Sequence, residues 1–253
     1  MNVLVYGSGQ LARMMYLAGS PLNINIQAVD VATDQIINPV TKRDLKISLA
    51  SAIESADVLT VEFEHVPEHV LEQAEQSGKL APNMRSILVG ADRVREKQLL
   101  AETNILNCEH EIITDVAQLE GITDRLGEQI IFKSSRDGYD GYGQWRIVNA
   151  AGLTDIHAVF QNLDLQKIPV IAEKMCPFDR ELSLVGSVDK EGNIALYPLA
   201  QNTHFEGQLH VSVAPAPETG VAAKLAGKFV GSHNSWSVPA FAISAAMSVI
   251  VIV

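Results

Sequence analysis

One lysine and three glycines are the residues best placed to do chemistry. The stretch from Ile130 to Arg146 reads IIFKSSRDGYDGYGQWR, an apolar run ending on Lys133 and then punctuated by Gly138, Gly141 and Gly143. Lysine is a movable point charge, and glycines let backbone N–H groups approach an anion closely. A strand that delivers a lysine into a glycine loop is a reasonable device for holding phosphates. Neither GxxxxGK[ST] nor GxGxxG occurs in this stretch, so it is not a Walker loop or a dinucleotide fingerprint. The same residues also fit a hairpin that turns at Asp140-Gly141, and the pattern alone leaves both readings open.

Other candidates lie upstream. Arg93 and Lys97 are four apart and share one side of a helix, so both could meet one polyanion; alone they fit a solvated face equally. Gly7-Ser8-Gly9-Gln10 makes a tight turn before a helix, where backbone donors and the helix dipole could hold a phosphate, or which could be a structural turn alone. Asp30, at the end of the next strand, could accept ribose hydroxyls, although GSGQLA carries only part of the dinucleotide fingerprint. Glu62 or Glu64 could point at a substrate from the carboxyl edge of a parallel sheet, or simply end a strand. His204, His210 and His233 show no HxxxH or HExxH spacing, so nonmetal roles are expected. No GxSxG and no CxxC is present, which leaves little support for hydrolase or thiol-redox chemistry.

These residues need elements to position them. Asn2 to Tyr6, Leu11 to Leu17 and Ile24 to Val29 read as strand, helix and strand, a right-handed βαβ unit with a parallel sheet. A helix over Leu45 to Ala56, a strand over Val58 to Val61, a helix over Glu68 to Ser77 and a short strand over Ser86 to Val89 follow. Asp92 to Glu102 reads as a charged helix, Ile112 to Thr114 as a strand, and Asp115 to Gly127 as a helix with Leu119, Ile122 and Leu126 inward. Beyond the glycine loop come a helix over Thr154 to Asn162 and strands over Val170 to Lys174, Glu181 to Val188, Ala195 to Pro198 and Val211 to Val213. Asn202 to Leu209 is polar. The pattern turns from parallel α/β to antiparallel α+β, with a domain boundary near residues 88 to 108.

Composition bounds the function. The 253 residues suffice for one large or two ordinary domains, with 47% hydrophobic residues to fill a core. A net charge of -11 argues against unspecific nucleic-acid binding, which needs a cationic surface. Cys108 and Cys176 lie far apart and suggest no disulfide framework or zinc cluster. Met1 leads directly into NVLVY without a basic leader, so no secretory signal and a cytoplasmic enzyme are expected. Ala240 to Val253 is apolar almost throughout but shorter than the roughly 18 residues that span a bilayer; a buried helix turning into a strand is expected there.

Taken in order, these stretches resemble one family. GSGQLARM, VLTVEFEHVP, ILVGADRVREKQLL, DGYDGYGQW, AEKMCPFDRELSLVG and YPLAQNTHFEGQLHVSVAP follow the motifs of the ATP-grasp ligases, and among them the N5-carboxyaminoimidazole ribonucleotide synthetase family of purine synthesis. The resemblance runs from residue 3 to about residue 217. It implies an α/β fold: a parallel βαβ pre-ATP-grasp domain over residues 1–90, forming part of a ribonucleotide site, then α+β ATP-grasp regions over 91–253 with the phosphate loop at 133–145. It implies carboxylation of 5-aminoimidazole ribonucleotide with bicarbonate and MgATP, through carboxyphosphate, to the N5-carboxylated nucleotide, ADP and phosphate. Lys133, Tyr139 and Asp140 would be catalytic. Arg93, Lys97, Lys133, Gly138, Gly141, Gly143, Gln144, Glu173, Lys174, Glu181 and His204 would hold ATP, with Glu173 and Lys174 in the hinge that meets adenine and Glu181 on the ribose. Gly9, Gln10, Leu11, Glu64, Tyr139, His233 and Asn234 would hold the ribonucleotide. Mg²⁺ is implied as a cofactor, a homodimer as the assembly, and neither nucleic acid nor membrane as a partner. The alternatives are another ATP-grasp purine ligase, such as the formate-using glycinamide ribonucleotide enzyme, or a truncated nucleotide-binding protein without catalysis.

Three departures qualify the resemblance. Tyr142 stands where the family loop usually has a basic residue, and Asp137 replaces a glycine of the family's RxGG lead-in. From Thr219 onward there is no Asp or Glu, so the family's two Mg²⁺-binding acids are absent and the metal ligands stay unassigned. The C-terminal part is expected to be truncated, or to belong to a longer chain shown with segments closed up. Lys224 to Trp236 reads like fragments joined out of context, which favours the second.

Overall fold

The computed structural model describes residues 1–138, 142–188, 193–205, 208–217 and 247–252. The chain divides into two compact units, one built on Met1–Ala91 and the other mainly on Asp92–Ser187 and the residues beyond Ile194.

The first unit opens with β1 (Asn2–Tyr6), α1 (Gln10–Gly19), β2 (Asn25–Asp30), β3 (Gln35–Ile37), α2 (Leu49–Ser55), β4 (Val58–Val61), α3 (Glu68–Gln76) and α4 (Met84–Ala91). Its sheet runs β3-β2-β1-β4, with β2 and β4 parallel to β1. Side chains alternate across a strand, and β1 shows the consequence. Leu4 and Tyr6 enter one core with Ala52 of α2, Val70, Leu71 and Ala74 of α3 and Ile87 of α4. Val5 enters a second core with Ala12 of α1 and Ala28 of β2. A sheet buried on both faces needs continuous apolar strands, and NVLVY supplies one.

Three expectations for this unit meet different outcomes. The βαβ unit forms in parallel register, Val3 opposite Ile26. The helix expected from Leu45 starts only at Leu49, where the Ser48 side chain accepts the Ser51 N–H at 3.2 Å. Leu45 instead donates its N–H to the Ile36 carbonyl at 2.8 Å, beside the unforeseen strand β3, which runs antiparallel to β2. The strand expected over Ser86 to Val89 is part of helix α4. An apolar run of four residues does not set its own period. Asn83 starts the helix by accepting the Ser86 N–H at 2.9 Å, and the place beside β4 is already taken by Leu80, bridged to Leu59.

The second unit continues with α5 (Arg93–Glu102), β5 (His110–Ile113), α6 (Ile122–Leu126), β6 (Ile130–Ser134), β7 (Gln144–Ile147), α7 (Leu153–Phe160) and β8 (Val170–Lys174). The sheet order is β5-β8-β6-β7, antiparallel throughout. Ile130 and Phe132 of β6, with Val170 and Ala172 of β8, face a core shared with α6 and α7. Phe160 anchors it edge-on to Phe132 and Trp145, with ring centroids 5.5 Å and 5.3 Å away. The single helix expected over Asp115 to Gly127 is split. Val116–Leu119 is a 3₁₀ turn with a capping box between Asp115 and Gln118, and Gly121, at φ +65°, interrupts the chain before α6. Leu119, Ile122 and Leu126 are buried as the periodicity requires.

A second sheet holds β9 (Glu181–Val188), β10 (Ile194–Leu196), β11 (Ala200–Phe205), β12 (Gln208–Val213) and β13 (Met247–Ile252), in the order β10-β9-β11-β12 with β13 also on β9. The polar stretch Asn202 to Leu209 is thus largely strand, paired across β11 and β12. Every residue of β12 is exposed, so no burial alternation marks it in the sequence. The end of the apolar tail pairs with β9; the helix expected at its start lies outside the described residues.

Candidate functional site

Strand alternation builds the chemical face of the second unit. Ile130 and Phe132 point into the core, so Lys133 stands on the other face of β6. Val170 and Ala172 likewise leave Glu173 on that face of β8. The β6–β8 register sets Lys133 opposite Ile171 and Ile131 opposite Glu173, which makes the lysine and the glutamate diagonal neighbours. Their ion pair measures 2.5 Å from Nζ to Oε2. Lys97 arrives from α5 and meets the other carboxylate oxygen at 2.6 Å. Its ammonium also donates to Asn107 Oδ1 at 2.9 Å and lies 3.6 Å from Cys108 Sγ.

The side chains of Lys97 and Glu173 are each only 8% exposed, whereas that of Lys133 is 30% exposed. Burial pushes the Glu173 carboxyl up, but Lys133 and Lys97 outweigh it and hold the group below its ordinary range. The Cys108 thiol is pushed up, by burial first and by the Glu173 charge second, against the opposing pull of the two lysines.

The start of α5 is tied to the end of β6 beside this cluster. Asp92 caps the helix by accepting the Val94 N–H at 2.8 Å, and its other oxygen meets Arg136 Nε at 3.5 Å. Arg93 donates its backbone N–H to the Ser135 carbonyl at 2.9 Å and its guanidinium to the Ser134 carbonyl at 2.7 Å. A Cβ on Gly138 would lie 3.3 Å from that guanidinium, so the loop backbone passes close to a cation. Gly143 has φ +67°, and a Cβ there would come within 2.9 Å of Ser134; only glycine fits. Its carbonyl accepts the Ser134 N–H at 2.7 Å. Asp137, the departure from the family lead-in, has φ +60°, a left-handed conformation that Asp tolerates better than most residues. The strands flanking the loop form the hairpin allowed by the sequence, with Lys133 opposite Gln144.

Other expected positions fall as follows. Glu181 of β9 accepts from Asn202 Nδ2 at 3.0 Å and lies 3.6 Å from His204 Nδ1, both on β11. Lys174 is exposed and pairs with Glu109 at 2.8 Å. Tyr139, Asp140, Gly141, His233 and Asn234 lie outside the described residues. Among those described, no group of three or more His, Cys, Asp or Glu side chains could hold a metal ion, and Glu173 is engaged by its lysines.

In the first unit, Gly9, Gln10 and Leu11 are exposed at the start of α1. The sequence leaves a phosphate site or a structural turn open at this helix end. The Glu62 carboxylate already accepts the Gly9 N–H at 2.5 Å and the Leu11 N–H at 3.0 Å. An anion aimed at those donors would meet a carboxylate. Lys42 donates to the Ser8 carbonyl in the same turn. Glu64 is exposed, 3.5 Å from His65. The sequence offers Glu62 as a substrate-facing acid or a plain strand end; the glycine turn one strand away is the available signal for its capping role. Nothing in the sequence pointed to Asn107 or Cys108, which sit in coil.

Comparison with known proteins now decides the family. Residues 98–233 match the ATP-grasp domain. The chain belongs to the ATP-grasp family. Residues 1–90 match the ribonucleotide synthetase preATP-grasp domain, so a pre-ATP-grasp domain precedes the ATP-grasp domain in a mixed α/β architecture. The N5-carboxyaminoimidazole ribonucleotide synthase of Vibrio parahaemolyticus is 44% identical over 228 residues, covering 88% of this chain and 60% of that protein. The N5-carboxyaminoimidazole synthetase of Staphylococcus aureus, solved with ADP, superposes with a TM-score of 0.82 at 21% identity, covering 100% of this chain and 66% of that one. The Aspergillus clavatus synthase, solved with ADP and 5-aminoimidazole ribonucleotide, gives 0.76 at 22% identity, covering 98% and 65%. At such identities the two structures speak for the ATP-grasp fold alone. The chain spans about three fifths of the length of the curated relatives it matches. No helix among the described residues is long and apolar enough to cross a membrane.

Proposed function

We propose that this ATP-grasp chain carboxylates 5-aminoimidazole ribonucleotide with bicarbonate and ATP, yielding N5-carboxyaminoimidazole ribonucleotide, ADP and phosphate in purine synthesis. The 44% identity to the Vibrio parahaemolyticus synthase over 228 residues carries the reading. The cationic face of the second unit supports the ATP part of it. Lys133, Arg93 and the backbone around Gly138 and Gly143 present positive charge and close backbone approach to a polyphosphate, where charge stabilisation dominates catalysis. Glu181 and His204 suit ribose hydroxyls, and Gln144 stands opposite Lys133 at the loop's return. When bound, ATP supplies the phosphoryl group that activates bicarbonate. Mg²⁺ belongs to the proposal through the motif resemblance alone, and the described residues offer no ligand set for it.

Gly9, Gln10, Leu11 and Glu64 are the proposed ribonucleotide contacts of the first unit, with Tyr139, His233 and Asn234. Because Glu62 fills the helix donors, the turn suits ribose hydroxyls better than phosphate. A cytoplasmic homodimer belongs to the same proposal.

The test is phosphate release from MgATP with bicarbonate, with and without aminoimidazole ribonucleotide, on protein of verified mass. Ribonucleotide-dependent release is expected, and Lys133→Ala should abolish it while leaving the circular dichroism spectrum unchanged. Release that ignores the ribonucleotide would point to another ATP-grasp purine ligase. ATP binding without release would point to a nucleotide-binding protein without catalysis.

A further inference from the structure

We infer that Asn202 and Ser212 are positioning residues for Glu181, and that through its carboxylate they set how strictly the sugar of ATP is read. The inference rests on the ATP-site reading above and deepens it. The three residues form one polar rung across the second sheet. Glu181, at the start of β9, stands opposite Asn202 of β11, which stands opposite Ser212 of β12. Residues directly opposite in antiparallel strands have Cβ atoms only about 5 Å apart, so short side chains reach one another. The Ser212 hydroxyl donates to Asn202 Oδ1 at 2.6 Å, and Asn202 Nδ2 donates to Glu181 Oε1 at 3.0 Å.

The rung has a direction. A carboxylate only accepts hydrogen bonds, whereas an amide has an accepting end and a donating end. Glu181 therefore fixes which end of Asn202 faces it, and Ser212 takes the other. The amide is held at both ends and holds the carboxylate in turn. Beyond Asn202 the register of β11 against β12 shifts between Thr203 and His204; such shifts re-aim side chains. His204 Nδ1 comes to 3.6 Å from Glu181 Oε2.

What the rung leaves open suits a ligand that carries hydroxyls. The Glu181 side chain is only 15% exposed, yet among the described residues it meets an amide and an imidazole and no lysine or arginine. An ionised carboxylate has about four lone-pair sites, and Asn202 occupies one. A lysine or arginine would neutralise the acid, whereas an amide leaves it a charged acceptor for the paired hydroxyls of a ribose. Asn202 and Ser212 do not need this contact for their own sake. Ser212 is exposed and Asn202 half-buried, so water could serve both. An acid ordered before the nucleotide arrives leaves less ordering to be done on binding.

Calorimetry on the full-length protein with ATP, dideoxy-ATP lacking both ribose hydroxyls, and tripolyphosphate tests this. Wild type should bind ATP about tenfold tighter than the dideoxynucleotide, or more, the scale of charged hydrogen bonds to a sugar. Asn202→Ala should weaken ATP about tenfold and Ser212→Ala about threefold, with dideoxy-ATP and tripolyphosphate unchanged. Ser212→Thr, which keeps the hydroxyl, should keep wild-type discrimination. In a Glu181→Ala background, Asn202→Ala should weaken ATP no further. Equal losses for the dideoxynucleotide, unchanged discrimination in Asn202→Ala, or the same penalty with and without Glu181 overturns the inference. Wild type that binds ATP and dideoxy-ATP equally overturns it while the ATP site stands. Wild type that binds none of the three defeats the proposed function, and this inference with it.

Discussion

Tyr6→Phe should make this protein more stable, and increasingly so in alkali. Tyr6 ends β1 and is 0% exposed among Leu4, Val29, Ile36 and Leu59. Its hydroxyl finds no hydrogen-bond partner among the described residues. A buried polar group left unpaired costs about 1–3 kcal/mol, so removing the oxygen should stabilise the first unit by about 1 kcal/mol near neutrality. Burial, with a smaller push from the Asp34 carboxylate, raises the phenol from 10.0 to about 12. The sign follows from linkage. Below the unfolded value both states keep the proton and nothing is lost. Between the unfolded and folded values only the folded state keeps it, so stability falls by about 1.4 kcal/mol per pH unit. The full gap is therefore worth about 2.7 kcal/mol. Phenylalanine cannot ionise, so the advantage of the variant should grow from about 1 to about 2.4 kcal/mol between about pH 8 and about pH 11. Urea unfolding of both proteins, followed by circular dichroism at the two pH values, measures this difference, and contributions from other titrating groups cancel. A variant less stable at neutral pH, or an advantage flat across the alkaline range, would refute the reasoning.

Glu62→Ala should expose the Gly9 and Leu11 amides to exchange and cost about 1–2 kcal/mol, the upper range of a lost helix cap; Glu62→Gln, with one acceptor oxygen, should cost about half, and unchanged exchange at both amides would remove the capping role. Phe160→Ala should cost about 3–5 kcal/mol, because its ring meets Phe132 and Trp145 edge-on; a denaturant midpoint close to wild type would place the core of the second unit elsewhere. Glu173 should make the second unit acid-sensitive. Its folded value is depressed, so its contribution is present above the ordinary carboxylate range and lost as pH falls through the folded value. Wild type should therefore lose more stability than Glu173→Gln on acidification below about pH 4.5, and parallel acid curves would contradict the ion-pair geometry.

Much of this protein was legible in its sequence, because some patterns carry their own physical reason. NVLVY, the glycine turn and the return at Ile24 dictate a βαβ unit wherever a two-faced core is available. IIFKS fixes through its period of two that Lys133 leaves the core when Ile130 and Phe132 enter it. The cations of the site and the glycines around them were likewise visible. Tertiary structure decided what those groups touch. Whether Ser86 to Val89 becomes strand or helix depends on who occupies the space beside β4, and Leu80 is there first. That Glu62 caps a helix some fifty residues earlier depends on β4 lying parallel to β1. That Glu173 bridges two lysines depends on the β6–β8 register and on the α5 start docking at the end of β6. A chain encodes side-chain type and local period directly, whereas the partner of a buried charge is set by which strands pair and in what register.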